Sequence, residues 1–188
     1  MATYHHGDLR AALLRAGTKV VEKKGIKHLS VREAARRAGV SHNAPYRHFP
    51  DRESLLAGIA AEGFAKLGKA LRTSSGKAMG EAYVRFALQH PEVFRLMFGD
   101  ALDTRKYPPL REAAERAYLA LVDRFRAHAS AAEAHVAAAA AWSLVHGLSQ
   151  LLLDGQFKQA QLDADGVAPF VRQILATVRY SLGAQRSA

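Results

Sequence analysis

Cysteine is absent from the 188 residues. That removes disulfides, thiolate metal sites, cysteine nucleophiles and thiol redox sensing together, and suits a reducing, cytoplasmic setting. Alternating runs of Val, Ile and Thr are also missing, so the chain gives almost no strand signal. Long apolar runs are scarce: the most apolar stretch, Val136 to Val145, is broken by Ser143 and falls short of the ~20 residues of a membrane span. The first ten residues, MATYHHGDLR, carry no apolar signal-peptide core. Neither membrane insertion nor export is therefore expected. The patterns GxSxG, HExxH, Walker A and GxGxxG are not present, and the carboxylates show no evident pairing, so no catalytic residue is assigned. The histidines offer no metal-ligand spacing, and neither a metal nor a cofactor is expected.

What the chain has in excess is positive charge. Lys and Arg number 27 against 17 Asp and Glu, a net of +10, which calls for a polyanionic partner. The excess is concentrated at the front. Residues 1–56 hold 11 basic and 5 acidic side chains and five of the nine histidines, while the remaining residues hold 16 basic and 12 acidic ones. With 49% hydrophobic residues there is material for a packed core beside this basic front.

Ala, Leu, Arg, Glu and Lys recur at helical spacing nearly throughout, and the reading is all-α with about nine helices. A first helix is expected from about Asp8 to Lys24, stopped by Gly25. Ser30-Val31-Arg32-Glu33 reads as a capping box, opening a second helix that stops at Gly39. Ser41 is expected to cap a third, ending near Phe49. Beyond Pro50-Asp51 a long fourth helix should run from Arg52 to about Arg72. Helices over Ala78–Gln89, Pro91–Phe98, Pro109–His128, Ala131–Leu153 and Gly166–Leu182 follow. The division expected is a helix-turn-helix domain over 1–50 and a regulatory and dimerisation domain over 51–188, joined by the shared fourth helix.

Two short capped helices joined by Ala38-Gly39-Val40 have the form of a helix-turn-helix, whose second helix enters the major groove. Its exposed face would offer His42, Asn43, Tyr46 and Arg47, with Val40 and Phe49 as core anchors. Asn pairs bidentately with adenine N6 and N7, and Ala44 is suited to a thymine methyl. Alone, each of these residues reads equally well as a solvated polar turn on a helical bundle.

Taken together, Leu29 to Leu56, LSVREAARRAGVSHNAPYRHFPDRESLL, resembles the N-terminal domain of the TetR family of transcriptional regulators. The likeness covers Gly39-Val40-Ser41, Tyr46-x-His48-Phe49 and Arg52-x-x-Leu55, and with the first helix spans about a third of the chain. It implies a regulator, most often a repressor, that binds operator DNA as a homodimer until a small molecule occupies its C-terminal domain. Position by position it implies that Arg32 reaches a base edge from the front of the second helix and that His42, Asn43 and Ala44 face bases. Tyr46 and His48 would touch the DNA backbone, Arg52 a phosphate, and Ser30, Ser41 and Arg47 further phosphates. Arg36 and Arg37 read as a solvated charged face. Pro45 departs from the family pattern and deletes an early helical hydrogen bond, so a distorted reader is expected.

In the second half, His90-Pro91-x-x-Phe94-Arg95-x-Met97-Phe98 and Trp142-Ser-Leu-Val-His146-Gly147 resemble the TetR subgroup named after its Trp-His-Gly motif. Trp142 and His146 share a helix face, and Gly147 admits a close neighbour. Two readings stand: a packed Trp with a satisfied core histidine, or an apolar effector pocket with Tyr83, Phe86, Phe94, Met97, Phe98 and Tyr118. Dimerisation is expected through the last two helices by Leu144, Leu148, Leu151, Leu152, Phe170, Val171, Ile174, Leu175 and Val178. The expected partners are thus duplex operator DNA, a second copy of the chain and a small hydrophobic effector, with no membrane. The competing class is a DNA-binding regulator or nucleoid-type protein that takes no effector.

Overall fold

The computed structural model describes residues 6–41, 43–74, 78–127, 129–157 and 164–177. Eight α-helices lie among them: α1 His6–Lys24, α2 Val31–Ala38, α3 Arg52–Thr73, α4 Ala78–Gln89, α5 Pro91–Phe98, α6 Pro108–Arg126, α7 Ala131–Leu153 and α8 Ala164–Thr177. No strand occurs among the described residues. The third expected helix is not α-helical: between α2 and α3 the chain makes only one 3-10 turn, Ala44–Arg47. Pro45 sits in its first positions without an N–H to donate, and its ring is buried.

The helices belong to two compact units. The first runs through Phe64 and takes in His90–Ala114; the second is made of Ala65–Gln89 and the chain from Glu115 onward. The break therefore falls inside α3, downstream of residue 50, because the front half of α3 is itself core of the first unit. Leu55, Leu56 and Ile59 are fully buried there with Leu13, Leu14, Val20 and Val21 of α1 and Phe94 and Leu96 of α5. Gly63 is needed at this point, since a Cβ on it would stand 2.6 Å from Met97 Sδ and 2.9 Å from Val93 Cγ1. Phe64, Phe94 and Phe98 complete the layer, with Phe98 edge-on to Phe64 at 5.2 Å between ring centroids.

In the second unit α4 packs on α7 and α8. Leu67 and Leu71 of α3, Met79, Tyr83, Val84 and Phe86 of α4, and Val145 and Leu148 of α7 are buried. Ser130 and Glu133 start α7 with a complete capping box: Ser130 Oγ accepts the Glu133 N–H at 3.4 Å, and Glu133 Oε2 accepts the Ser130 N–H at 2.9 Å. Arg172 of α8 pairs with Glu81 of α4 at 3.3 Å. By length and composition α7 would suffice to cross a membrane, with a mean hydropathy of 1.5 over its best window. The ten-residue apolar run thus understates the helix, which here is a packing element against α4.

Candidate nucleic-acid interface and aromatic cluster

Ser30 Oγ accepts the Glu33 N–H at 3.0 Å and so starts α2. The expected return bond is replaced by another: the Glu33 carboxylate turns outward to Arg36, at 2.8 and 2.9 Å, and Arg37, at 2.6 Å. Those two guanidinium groups hold its pKa down to about 2. Arg36 and Arg37 are therefore engaged on their own helix, which leaves Arg32, exposed at the front of α2, as the outward cation of the first turn. Gly39 closes the helix at φ 69°, the left-handed position that glycine adopts without strain, and Val40 N–H returns to Ala35 O at 3.1 Å.

The reader follows. Ser41, Asn43, Tyr46 and Arg47 are exposed, whereas Ala44 and His48 are half-buried. His42 lies outside the described residues. Ser41 does not cap the turn; Asn43 occupies the cap position, without a side-chain capping bond. His48 N–H and Phe49 N–H both reach Pro45 O at 2.9 Å, and Phe49 is buried, so the turn is pinned from beneath. The Arg10 guanidinium of α1 stands 5.4 Å over the Phe49 ring. The turn thus has a buried floor of Pro45 and Phe49 and a polar roof of Asn43, Tyr46 and Arg47. Amide, phenol and guanidinium groups so placed can donate to base edges and phosphate oxygens.

At the start of α3, Asp51 Oδ1 accepts the Ser54 N–H at 2.7 Å, and Ser54 Oγ accepts the Asp51 N–H at 3.3 Å. The Asp-x-x-Ser spacing carried this signal, although sequence reasoning passed over it. Arg52, expected at a phosphate, is exposed and makes hydrogen bonds within the chain. Its Nε donates to Leu29 O at 3.0 Å and its Nη2 to Ile26 O at 2.7 Å. The guanidinium is folded back onto the backbone ahead of α2, where the carbonyls of Ile26, first in the short 3-10 turn Ile26–His28, and of Leu29, its C-cap, accept from it.

The second unit holds a polar aromatic cluster. Trp142 Nε1–H donates to the Tyr83 hydroxyl at 3.0 Å, and that oxygen lies 2.9 Å from His146 Nδ1. With the Trp as donor, the Tyr83 proton is directed at Nδ1, which accepts in the neutral imidazole. Burial lowers the pKa of His146 and raises that of Tyr83, so both hold their neutral forms. Tyr118 stacks at a tilt 5.9 Å from Trp142 and approaches His135 Nδ1 at 3.4 Å.

The eight expected pocket residues do not fall in one unit. Tyr83, Phe86, Tyr118, Trp142 and His146 are in the second; Phe94, Met97 and Phe98 belong to the first, packed around Gly63 and Phe64. Among the described residues nothing approaches Gly147, where a Cβ would meet no atom within 4 Å; a close helix contact is instead at Gly80, against Leu175. Of the expected dimer residues, Leu148 and Val171 are buried within the chain, Leu151 is exposed, and Leu144, Leu152, Phe170, Ile174 and Leu175 are half-buried. Val178 lies outside the described residues. The exposed apolar stripe of α7 is instead Val136, Ala139, Ala140 and Leu151, with Ser143 among them.

Residues 13–59 match the family described as bacterial regulatory proteins, tetR family, and residues 77–178, more than half of the chain, match the tetracyclin repressor-like C-terminal domain. The Trp-His-Gly subgroup gains no separate support from that match. Among curated proteins no sequence matches significantly. A solved protein of unknown function from Rhodococcus sp. RHA1 is 33% identical, with TM-score 0.75 over 95% of this chain and 99% of that one. The multidrug binding protein EbrR complexed with imidazole is 20% identical, with TM-score 0.55 over 92% and 97%. A TetR variant from Acinetobacter baumannii AYE in complex with minocycline is 18% identical, with TM-score 0.59 over 89% and 94%. With both halves matched and the helix-turn-helix face formed, the chain belongs to the TetR family of DNA-binding transcription regulators.

Proposed function

We propose that the protein is a cytoplasmic repressor that binds a palindromic operator as a homodimer and leaves it when a small apolar ligand occupies the second unit. The observation that carries the DNA part is the exposed Asn43, Tyr46 and Arg47 above the buried Pro45 and Phe49, beside the exposed Arg32. In this reading Arg32, Asn43, Ala44 and His42 face bases, while Ser30, Ser41, Tyr46, Arg47 and His48 line the sugar-phosphate track. The α7 stripe supports the dimer. Val136 is 72% exposed and Leu151 45%, on a helix whose other face is core, and the open space at Gly147 lets a second helix come close. A twofold pair sets two readers one helical turn of DNA apart, ~34–36 Å.

For the ligand, the half-buried Trp142 and Tyr118 offer aromatic surface, and the Tyr83–His146 pair supplies a polar anchor. The small molecules bound by EbrR and by the Acinetobacter TetR variant support a sensing role for this fold. Lowering operator affinity tenfold requires the ligand to favour the released arrangement by ~1.4 kcal/mol. Selection of bound duplexes from a random pool tests the reading: a recovered palindrome is expected. Equal recovery of all sequences at raised salt would refute it and favour a sequence-independent, nucleoid-type protein.

A further inference from the structure

Arg52, expected at a phosphate, is bonded within the chain. It stands at the first position of α3, yet two of its N–H groups are spent on carbonyls 23 and 26 residues earlier in the chain. Those carbonyls frame the segment that launches α2. Ile26 O also accepts the Leu29 N–H at 3.1 Å, and Leu29 is 2% exposed, so the segment is fixed from inside by a buried leucine and from outside by the guanidinium. The next residue, Ser30, caps α2, and Arg32 lies two residues beyond it. A planar fork that holds both carbonyls sets the height and direction at which α2 begins, and a lysine ammonium lacks that paired geometry.

We propose that Arg52 is a positioning residue for base reading by Arg32, acting through the carbonyls of Ile26 and Leu29 and not as a phosphate ligand. The inference rests on the assignment of Arg32 to a base edge. The two roles differ in what they do to DNA binding. A phosphate contact contributes to every duplex and about 0.9 to the salt slope, and a lysine replaces it well. A brace affects the choice among sequences, leaves the salt slope alone, and is lost with lysine.

The test measures affinities of wild type, R32A, R52K, R52Q and R32A/R52K for the selected operator and for its single-base variants, across a salt series. Expected is that R32A and R52K lose discrimination at the same base position, about tenfold. R52K should keep the wild-type salt slope, and the double variant should lose no more than R32A alone. Each profile is a ratio between duplexes, so a lower folded fraction does not move it. A wild-type profile in R52K beside an altered R32A overturns the proposal alone. So does an equal loss on all duplexes in R52K and R52Q, a slope flattened by about one in R52Q with R52K unaffected, or additive losses in the double variant. A silent R32A removes the Arg32 assignment and the proposal together.

Discussion

Replacing Tyr83 with phenylalanine deletes one oxygen and keeps the ring. Tyr83 is 3% exposed, and its hydroxyl joins Trp142 Nε1–H at 3.0 Å to His146 Nδ1 at 2.9 Å. Each bond is worth about 1 kcal/mol net, and both are lost in a partly buried place, so the cost should be about 2–3 kcal/mol. Both neighbours are half-buried, so water can reach them, and this keeps the figure modest. For a chain of this size that lowers Tm by about 4–12 °C. The assay is urea unfolding followed by fluorescence, because Trp142 is the sole tryptophan and sits in the network itself. Acid titration of the folded protein adds a second readout. Burial depresses the His146 pKa below its ordinary 6.5, so this group's contribution is present above 6.5 and is lost as pH falls through the lower folded value. Trp142 emission, quenched by an imidazolium 6.1 Å away, should therefore drop with a midpoint below 6.5. A Y83F midpoint within about 0.5 kcal/mol of wild type would refute the argument that the hydroxyl holds the cluster.

Two further outcomes follow from other sites. Glu22 of α1 faces the start of α5, where its carboxylate lies 3.4 Å from both His90 Nδ1 and the Glu92 N–H, and burial, the largest influence, raises its pKa. A raised carboxylate contributes stability that is complete below about 4.5 and is lost as pH rises through the folded value, so E22Q should melt at or above the wild-type temperature at pH 7 and gain nothing at pH 4; a large drop at pH 7 would contradict this. Val136→Asp places a charge in the α7 stripe, and sedimentation should find folded single subunits with operator affinity reduced by tenfold or more, whereas an unchanged dimer would move the interface elsewhere.

Helix ends marked by chemistry within a turn were readable from sequence. Pro91 opens α5 and Gly39 closes α2 where their backbone preferences dictate, and Ala78–Gln89, Pro91–Phe98 and Ala131–Leu153 come out with the expected limits. The reader turn was readable as a place, and Pro45 signalled its distortion, but not that the whole segment Ala44–Arg47 would be a single 3-10 turn. The hydrogen bonds of Arg52 were hidden for a different reason: its acceptors are carbonyls, which carry no residue identity, 23 and 26 positions away. Likewise Tyr83, Phe86, Phe94 and Met97 share one apolar periodicity, and periodicity reports that a side chain turns inward, not which neighbours meet it there. The division of those residues between two units is a property of tertiary packing.

The α7 helix shows how composition and placement part company. Its 23 residues are apolar enough for a lipid span, and in water the same composition has to be covered. One face is: Ala134, Ala138, Val145 and Leu148 are buried, and Trp142 and His146 reach the Tyr83 hydroxyl of α4. The other face is made of small residues, Ala139, Ala140 and Ser143, between Val136 and Leu151. Lipid would gain little from such a surface, whereas a second helix gains by close approach, because short side chains bring backbones together and van der Waals contact grows with proximity. The open position at Gly147 lies on the same helix and is suited to the same approach. In the proposed homodimer the stripe would meet its own copy across a twofold axis, which is also the arrangement that a pair of short DNA readers requires.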